Sequence, residues 1–392
     1  MTRPLSPVRT SQFVSIATPV FFFLLILRGW RSLDRIPVDP GYGWVLRASR
    51  EGLPSVVTSD PYFRLHELTV AWIVSLFPIE THALLLSLLS HVTWAVGASI
   101  VALVTLTISE SRSMAMIVGF LVVLAPHASE SVLGNHGNVR WILLIVLVVV
   151  VSSPPELHTR LLGIGLLALV NGLSNPIAGV CLLPLVVRGL KRSYLHPAER
   201  VVGGWLAAGA LLQILRAMTN DFLGGHDQKM MMPWNDMGVF WWSGLLGPLV
   251  SAGAALLILL VGRQKATSGL QFSGWLAVLS VVIHGASYLL GGIADRYFIA
   301  PMTLSVISLV LAIHFQAFPG PHIRHILLIS VVLLIAVPAS KWFSSSAYLL
   351  SGPSWSSLDD RMQVLCELSE QDEADRSPLS RDQHDQDCPG SP

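Results

Sequence analysis

Thr81-His-Ala-Leu-Leu-Leu-Ser-Leu-Leu-Ser-His91-Val-Thr-Trp94-Ala-Val-Gly97-Ala-Ser-Ile-Val-Ala-Leu-Val-Thr-Leu-Thr-Ile108 contains no Asp, Glu, Lys or Arg. A helix that crosses a bilayer needs about 20 mostly apolar residues, with its backbone groups bonded inside the segment. This run exceeds that length and carries no charged face, so it reads as a helix surrounded by apolar neighbours or lipid. The reading extends outward to further runs near 12–29, 114–128, 139–153, 160–174, 176–189, 201–218, 239–262, 272–293, 297–316 and 325–343. Three of them, 114–128, 139–153 and 176–189, are short, which fits thin, tilted or re-entrant segments. The expected fold is all-α: a polytopic membrane helical bundle of about eleven transmembrane helices. Leu65 to Phe77 is apolar but carries His66 and Glu67, and reads as a helix lying at the membrane surface.

Composition agrees. The 392 residues are 52% hydrophobic and only 12% charged, against roughly a quarter charged in ordinary soluble domains. A net charge of +1 leaves no electrostatic footprint for nucleic acid. The three cysteines, Cys181, Cys366 and Cys388, show no metal-binding spacing. Arg3 and Arg9 precede the first apolar run as in a signal peptide. No small-residue cleavage site follows, because the run ends in Arg28-Gly-Trp30-Arg31, so it reads as an uncleaved first helix.

The loops set an orientation. With the N-terminus inside, alternate loops carry Arg112, then His158 and Arg160, then Arg188, Lys191 and Arg192, then Arg263 and Lys265, then Arg324. That is the positive-inside pattern. It places the protein in the cell membrane as a multi-pass chain with a cytoplasmic N-terminus and an extracytoplasmic C-terminus. Residues 1–343 form the transmembrane domain, with an outer loop over 31–66. Residues 344–368 form a short extracytoplasmic element. Residues 369–392 form an acidic tail with almost no apolar content, which is expected to be disordered. The polar material gathers on the outer face.

Two outer segments carry candidate chemistry. The first contains Asp34, Asp39 and Asp60, then Arg64, His66 and Glu67. Carboxylates at a membrane surface serve as bases or metal ligands, and an arginine fork grips phosphate. Solvated loops also carry such residues without any function. The second reads His127-Ala-Ser-Glu130-Ser-Val-Leu-Gly134-Asn135-His136-Gly137-Asn138-Val-Arg140-Trp141 between two apolar helices. Ionisable groups at that depth usually face a cavity or a partner, although a hydrogen-bonded turn explains the same residues. Asn171 to Pro176 forms a polar notch that reads first as a kink. Asp295-Arg296-Tyr297 opens a late helix, where an arginine either snorkels to water or meets a lipid phosphate.

Asp60-Pro-Tyr-Phe-Arg-Leu-His-Glu-Leu, Glu130 through Trp141, Arg296-Tyr297 and Gly352-Pro-Ser-Trp355 together resemble bacterial membrane proteins of the GT-C glycosyltransferase type, in uncharacterised members. The resemblance runs to about residue 366 in short motifs. It implies a transferase of the cell envelope that uses a polyprenyl-phosphate sugar donor at the outer leaflet, with membrane lipid as its other partner. Carried over by position, Asp34, Asp39 or Asp60 is the catalytic acid, with Asp39 favoured. Arg64, Glu130, Asn135, Asn138, Arg140, Trp141, Arg296 and Tyr297 are the candidate substrate contacts. The loop lacks the tight Asp-x-Asp pair common in that family, because Asp34 and Asp39 stand five apart. That weakens the case for the divalent metal which such a loop could hold, and no cofactor is expected. A transporter or flippase of lipid-linked glycans, or a membrane protein without chemistry, are the rival readings.

Overall fold

The computed structural model describes residues 7–29, 63–78, 81–125, 136–155, 161–192, 195–219, 239–261, 267–291 and 295–316, together with residues 33, 45, 327, 329, 331, 332 and 335. Among these residues there are eleven α-helices. They are α1 (Pro7–Gly29), α2 (Leu65–Val74), α3 (His82–Ser109), α4 (Arg112–Leu124), α5 (Val139–Ser152), α6 (Leu161–Ser174), α7 (Leu182–Arg192), α8 (Pro197–Thr219), α9 (Val239–Val261), α10 (Ser268–Gly291) and α11 (Asp295–Phe315). A 3-10 turn over His136–Asn138 leads into α5, and another over Pro176–Cys181 leads into α7.

Among the described residues six helices are long and apolar enough to cross a membrane: α1, α3, α8, α9, α10 and α11. Those six candidate spans point to a multi-pass membrane protein. Four further runs expected to span fold as shorter pieces: α4, α5, α6, and the 3-10 turn joined to α7. The run at 325–343 lies largely outside the described residues, as do the domain limits drawn beyond residue 343.

The short helices are short for a reason. The 14 residues of α5 reach about 21 Å at 1.5 Å per residue, well under the roughly 30 Å of hydrocarbon in a bilayer. Yet every residue of α5 except Leu143 is buried. It is wrapped by α3, α6, α10 and α11, so protein, not lipid, sets its length. Its last carbonyls then end inside the molecule, where each needs a donor. Arg188 of α7 supplies it: Nη1 donates to the Ser153 carbonyl at 3.2 Å and Nη2 to the Val151 carbonyl. The 13-residue α4 ends the same way. Arg28 of α1 is buried and donates from Nη1 to the Val123 carbonyl at 2.8 Å.

Lipid-type surface lies on the opposite helices. On α8, Leu211, Ile214, Leu215 and Met218 are exposed, and on α9 Leu257 and Leu260 are. Large contiguous apolar surface of this kind is foreign to a soluble monomer. The bundle is held by small residues and hydroxyls, as expected where no hydrophobic gradient separates helix from solvent. A Cβ on Gly209 of α8 would come 2.8 Å from the Gly172 Cα of α6. Ser273 of α10 and Ser308 of α11 donate to each other's carbonyls at 2.8 and 2.7 Å.

These contacts define two ends. Tyr297 near the start of α11 meets Trp141 near the start of α5, at what we term the Trp141 end. Arg188 meets the last residues of α5 and Glu199 near the start of α8, at the Arg188 end. A Cβ on Gly97 would run into the Ile142 side chain, so the start of α5 is level with the middle of α3. The earlier turns of α3 rise past it, with α2 packed beside them.

Candidate functional site

The Trp141 end gathers several of the residues singled out by sequence. The first loop leaves its acids through Phe63 and Arg64 and enters α2. That exit is fixed at two points. The Gln213 side chain on α8 clamps the Phe63 backbone: the Phe63 N–H donates to Oε1 at 2.9 Å, and Nε2 donates to the Phe63 carbonyl at 2.8 Å. The Arg216 guanidinium lies 5.8 Å from the centre of the Phe63 ring. One turn on, the His66 N–H donates to Ser174 Oγ at 2.9 Å, at the end of α6.

The register set by these bonds buries one face of α2, including Leu68, Ala71 and Val74, against Val45 of the first loop and Leu86 of α3. Glu67 shares that inward side and has no exposed surface. Trp72, Ile73, Leu76 and Phe77 remain exposed on the other side. The expected surface helix is therefore half embedded in the bundle and half apolar to its surroundings. α2 packs on α6, on α5 and on the His136–Asn138 turn, which joins the first loop to the second.

In that second segment Asn138 and Arg140 are buried. The Arg140 guanidinium stands 5.4 Å from the Trp141 ring centre. Trp141 is almost wholly buried and meets the Tyr297 ring edge-on at 5.5 Å. Arg64, Asn138, Arg140, Trp141 and Tyr297 thus share one end of the molecule. Arg296 lies on the first turn of α11, and its side chain is outside the description. Asp34, Asp39, Asp60, Glu130 and Asn135 are outside the described residues.

The notch at Asn171 to Pro176 does break the helix. Asn175 Oδ1 accepts from the Ile177 N–H at 3.0 Å and caps the 3-10 turn, while Asn171 Nδ2 turns back to the Leu167 carbonyl. The remaining polar atoms here are unusual. His66 Nε2, Trp141 Nε1, Asn171 Oδ1 and Asn175 Nδ2 are buried without a hydrogen-bond partner among the described residues. Buried polar atoms are nearly always satisfied by protein or water, so this end has capacity for polar ligand groups or water. Burial also pushes the His66 imidazole down to about 4, which makes it neutral at physiological pH.

Sequence reasoning did not single out Gln213, and it read Ser174 only as part of the Asn171 to Pro176 notch and Arg28 only as the end of the first apolar run. Each is one polar residue on an apolar helix that meets a segment far away in the chain, and no local pattern marks such a pair. Glu67 was visible, but its complete burial was not. Among the described residues no group of three or more His, Cys, Asp or Glu is placed to hold a metal ion. No protein-family model matches this chain, and it matches no curated protein.

Proposed function

We propose that the chain is a membrane glycosyltransferase of the GT-C type, working at the Trp141 end on a polyprenyl-phosphate-linked sugar. That end faces outside the cell, the N-terminus is cytoplasmic and the tail is extracytoplasmic. The acceptor hydroxyl attacks the anomeric carbon. A carbon–oxygen bond forms to the acceptor, the bond to the lipid phosphate breaks, and the acceptor proton passes to a first-loop carboxylate. Asp39 is the favoured base, because Pro40 and Gly41 constrain it while leaving close approach open. Asp34 and Asp60 are the alternatives. Arg64, Arg140 and Arg296 neutralise the departing phosphate, and the half-buried Tyr297 offers an aromatic face to the sugar, with the buried Trp141 supporting its ring.

The observation that carries this reading is the first loop's exit. It is bolted to two helices beside a fully buried carboxylate, Glu67, at the end that also holds buried Arg140. Ionisable groups inside a membrane bundle are costly and mark functional ground. Transfer from a polyprenyl-phosphate sugar pool is measured in membranes carrying Asp34→Asn, Asp39→Asn or Asp60→Asn at matched expression. Loss of the base lowers the rate about 10²–10⁴-fold. Near wild-type transfer by all three removes the general base from this loop. A wild type that transfers from no donor puts transport of lipid-linked glycans ahead.

The orientation has its own test. With Cys366 and Cys388 replaced by serine, Ser346→Cys reacts with an impermeant reagent on intact cells and Arg192→Cys only after lysis. The opposite pattern inverts the assignment.

A further inference from the structure

At the end opposite Trp141, a cleft of about 600 Å³ opens between the C-terminus of α5, the last turns of α7, and the facing parts of α9 and α10. Its walls differ in kind. One side carries Arg188, Lys191 and Arg192 of α7. The other is formed by Leu256 of α9 and by Trp275 and Val278 of α10. Ser152 and Gln271 add neutral polar groups.

The three cations are not equivalent. Arg188 Nε is held 2.9 Å from Glu199 Oε1, and its other nitrogens bond the end of α5. Arg188 is therefore a structural member of the wall, its charge matched by Glu199. Lys191 and Arg192 are exposed and make no ion pair among the described residues. Among the described residues no acid offsets these two positive charges at the mouth of the cleft. Two further features favour an anion there. The first turn of α10 borders the cleft through Ser268 and Gln271, and helix N-termini carry partial positive charge. The Ser152 hydroxyl is buried in the wall without a hydrogen-bond partner among the described residues.

We propose that this cleft binds the phosphate of an anionic membrane lipid. Lys191 and Arg192 hold the phosphate, and the Leu256, Trp275 and Val278 wall carries the first part of an acyl chain. The chemistry at the mouth suits any phosphate-bearing anion. What assigns it to a lipid is the apolar wall, which a free phosphate has no use for, and the position at the end of a membrane bundle, where basic clefts between helices meet lipid headgroups. The site lies at the opposite end from the proposed transfer chemistry and does not depend on it.

The test uses the full chain in nanodiscs of phosphatidylcholine, titrated with phosphatidylglycerol and read by native mass spectrometry of retained lipid. Lys191→Gln combined with Arg192→Gln leaves the Arg188–Glu199 pair in place. It is expected to weaken phosphatidylglycerol retention roughly 30-fold, about fivefold for each cation removed. Arg112→Gln combined with Arg200→Gln removes two exposed cations from the same end outside the cleft, and is expected to leave retention within about twofold, a change of well under 1 kcal/mol. Equal losses in both double variants mean general surface attraction and overturn the site. Unchanged retention in the Lys191 and Arg192 variant overturns it too. Competition by millimolar inorganic phosphate that displaces the lipid completely overturns the lipid assignment.

Discussion

The two ends of the bundle use polar residues in opposite ways. At the Arg188 end the buried charges are matched to each other. Glu199 is fully buried, yet one oxygen meets Arg188 at 2.9 Å and the other accepts the His196 N–H at 2.9 Å. Arg188 in turn closes the end of α5. One charged pair thus ties α5, α7 and α8 together. At the Trp141 end the hydrogen-bonded ties are neutral, an amide on the Phe63 backbone and a hydroxyl on His66, with the Arg216 guanidinium over the Phe63 ring, and several buried polar atoms have no hydrogen-bond partner among the described residues. A matched group holds structure. An unmatched one is available to a ligand. The buried polar groups of this protein are therefore not one class, and the buried ion pair that anchors the fold lies at the end away from the proposed chemistry.

Removal of Glu199 is expected to have the largest effect. Glu199→Ala leaves Arg188 charged, only 12% exposed and without its counter-ion, which costs about 3–5 kcal/mol for a buried pair. The expected result is a large drop in melting temperature in detergent. A melting temperature like that of the wild type would mean that the Arg188 end is not the structural anchor.

A smaller effect is expected from Gln213→Ala. It strands a backbone donor and acceptor at Phe63, at about 1–3 kcal/mol for the unmatched groups, partly relieved by water. The loss should be local. Limited proteolysis between residues 31 and 63 is expected to speed up severalfold while the melting temperature moves little. If global stability falls as far as in Glu199→Ala, the two ends do not divide the work as described.

Smallest is the effect of pH. Burial holds His66 near 4, below its usual 6.5. Between those values the unfolded chain binds a proton that the folded chain excludes, so stability falls as pH drops through that window. The melting temperature of wild type is expected to fall more between pH 7 and 5 than that of His66→Gln. Identical slopes would remove His66 from the set of groups kept neutral by burial.

Much of the helix pattern was legible in the sequence. The run at 81–108 became His82–Ser109, and 139–153 became Val139–Ser152. Apolar length alone told where these helices lie. It did not tell which way they face. α5 and α8 are both apolar, but α5 is enclosed by protein while α8 turns Leu211, Ile214 and Leu215 outward. In a membrane both surroundings favour the same side chains, so the periodicity that separates core from surface in a soluble helix is erased. Among the described residues six helices have spanning length, and α4 and α5 fall short because they end inside the bundle, on Arg28 and Arg188. At the candidate site, Arg140, Trp141 and Tyr297 were legible one by one, and the fold brings the two aromatic rings to 5.5 Å. The Gln213 clamp was not, because its partner is 150 residues away.

The proposed function puts the transfer chemistry at the Trp141 end and not at the Arg188 end. Sugar transfer from a polyprenyl-phosphate donor, compared between Arg140→Gln and the Lys191→Gln, Arg192→Gln double variant at matched expression, tests it most directly. Losing a charged contact to the leaving phosphate is worth roughly 10–100-fold in rate. The account predicts that drop for Arg140→Gln and a rate within about threefold of wild type for the double variant, a difference of under 1 kcal/mol in barrier. Full transfer by Arg140→Gln, with transfer abolished in the double variant, would contradict it.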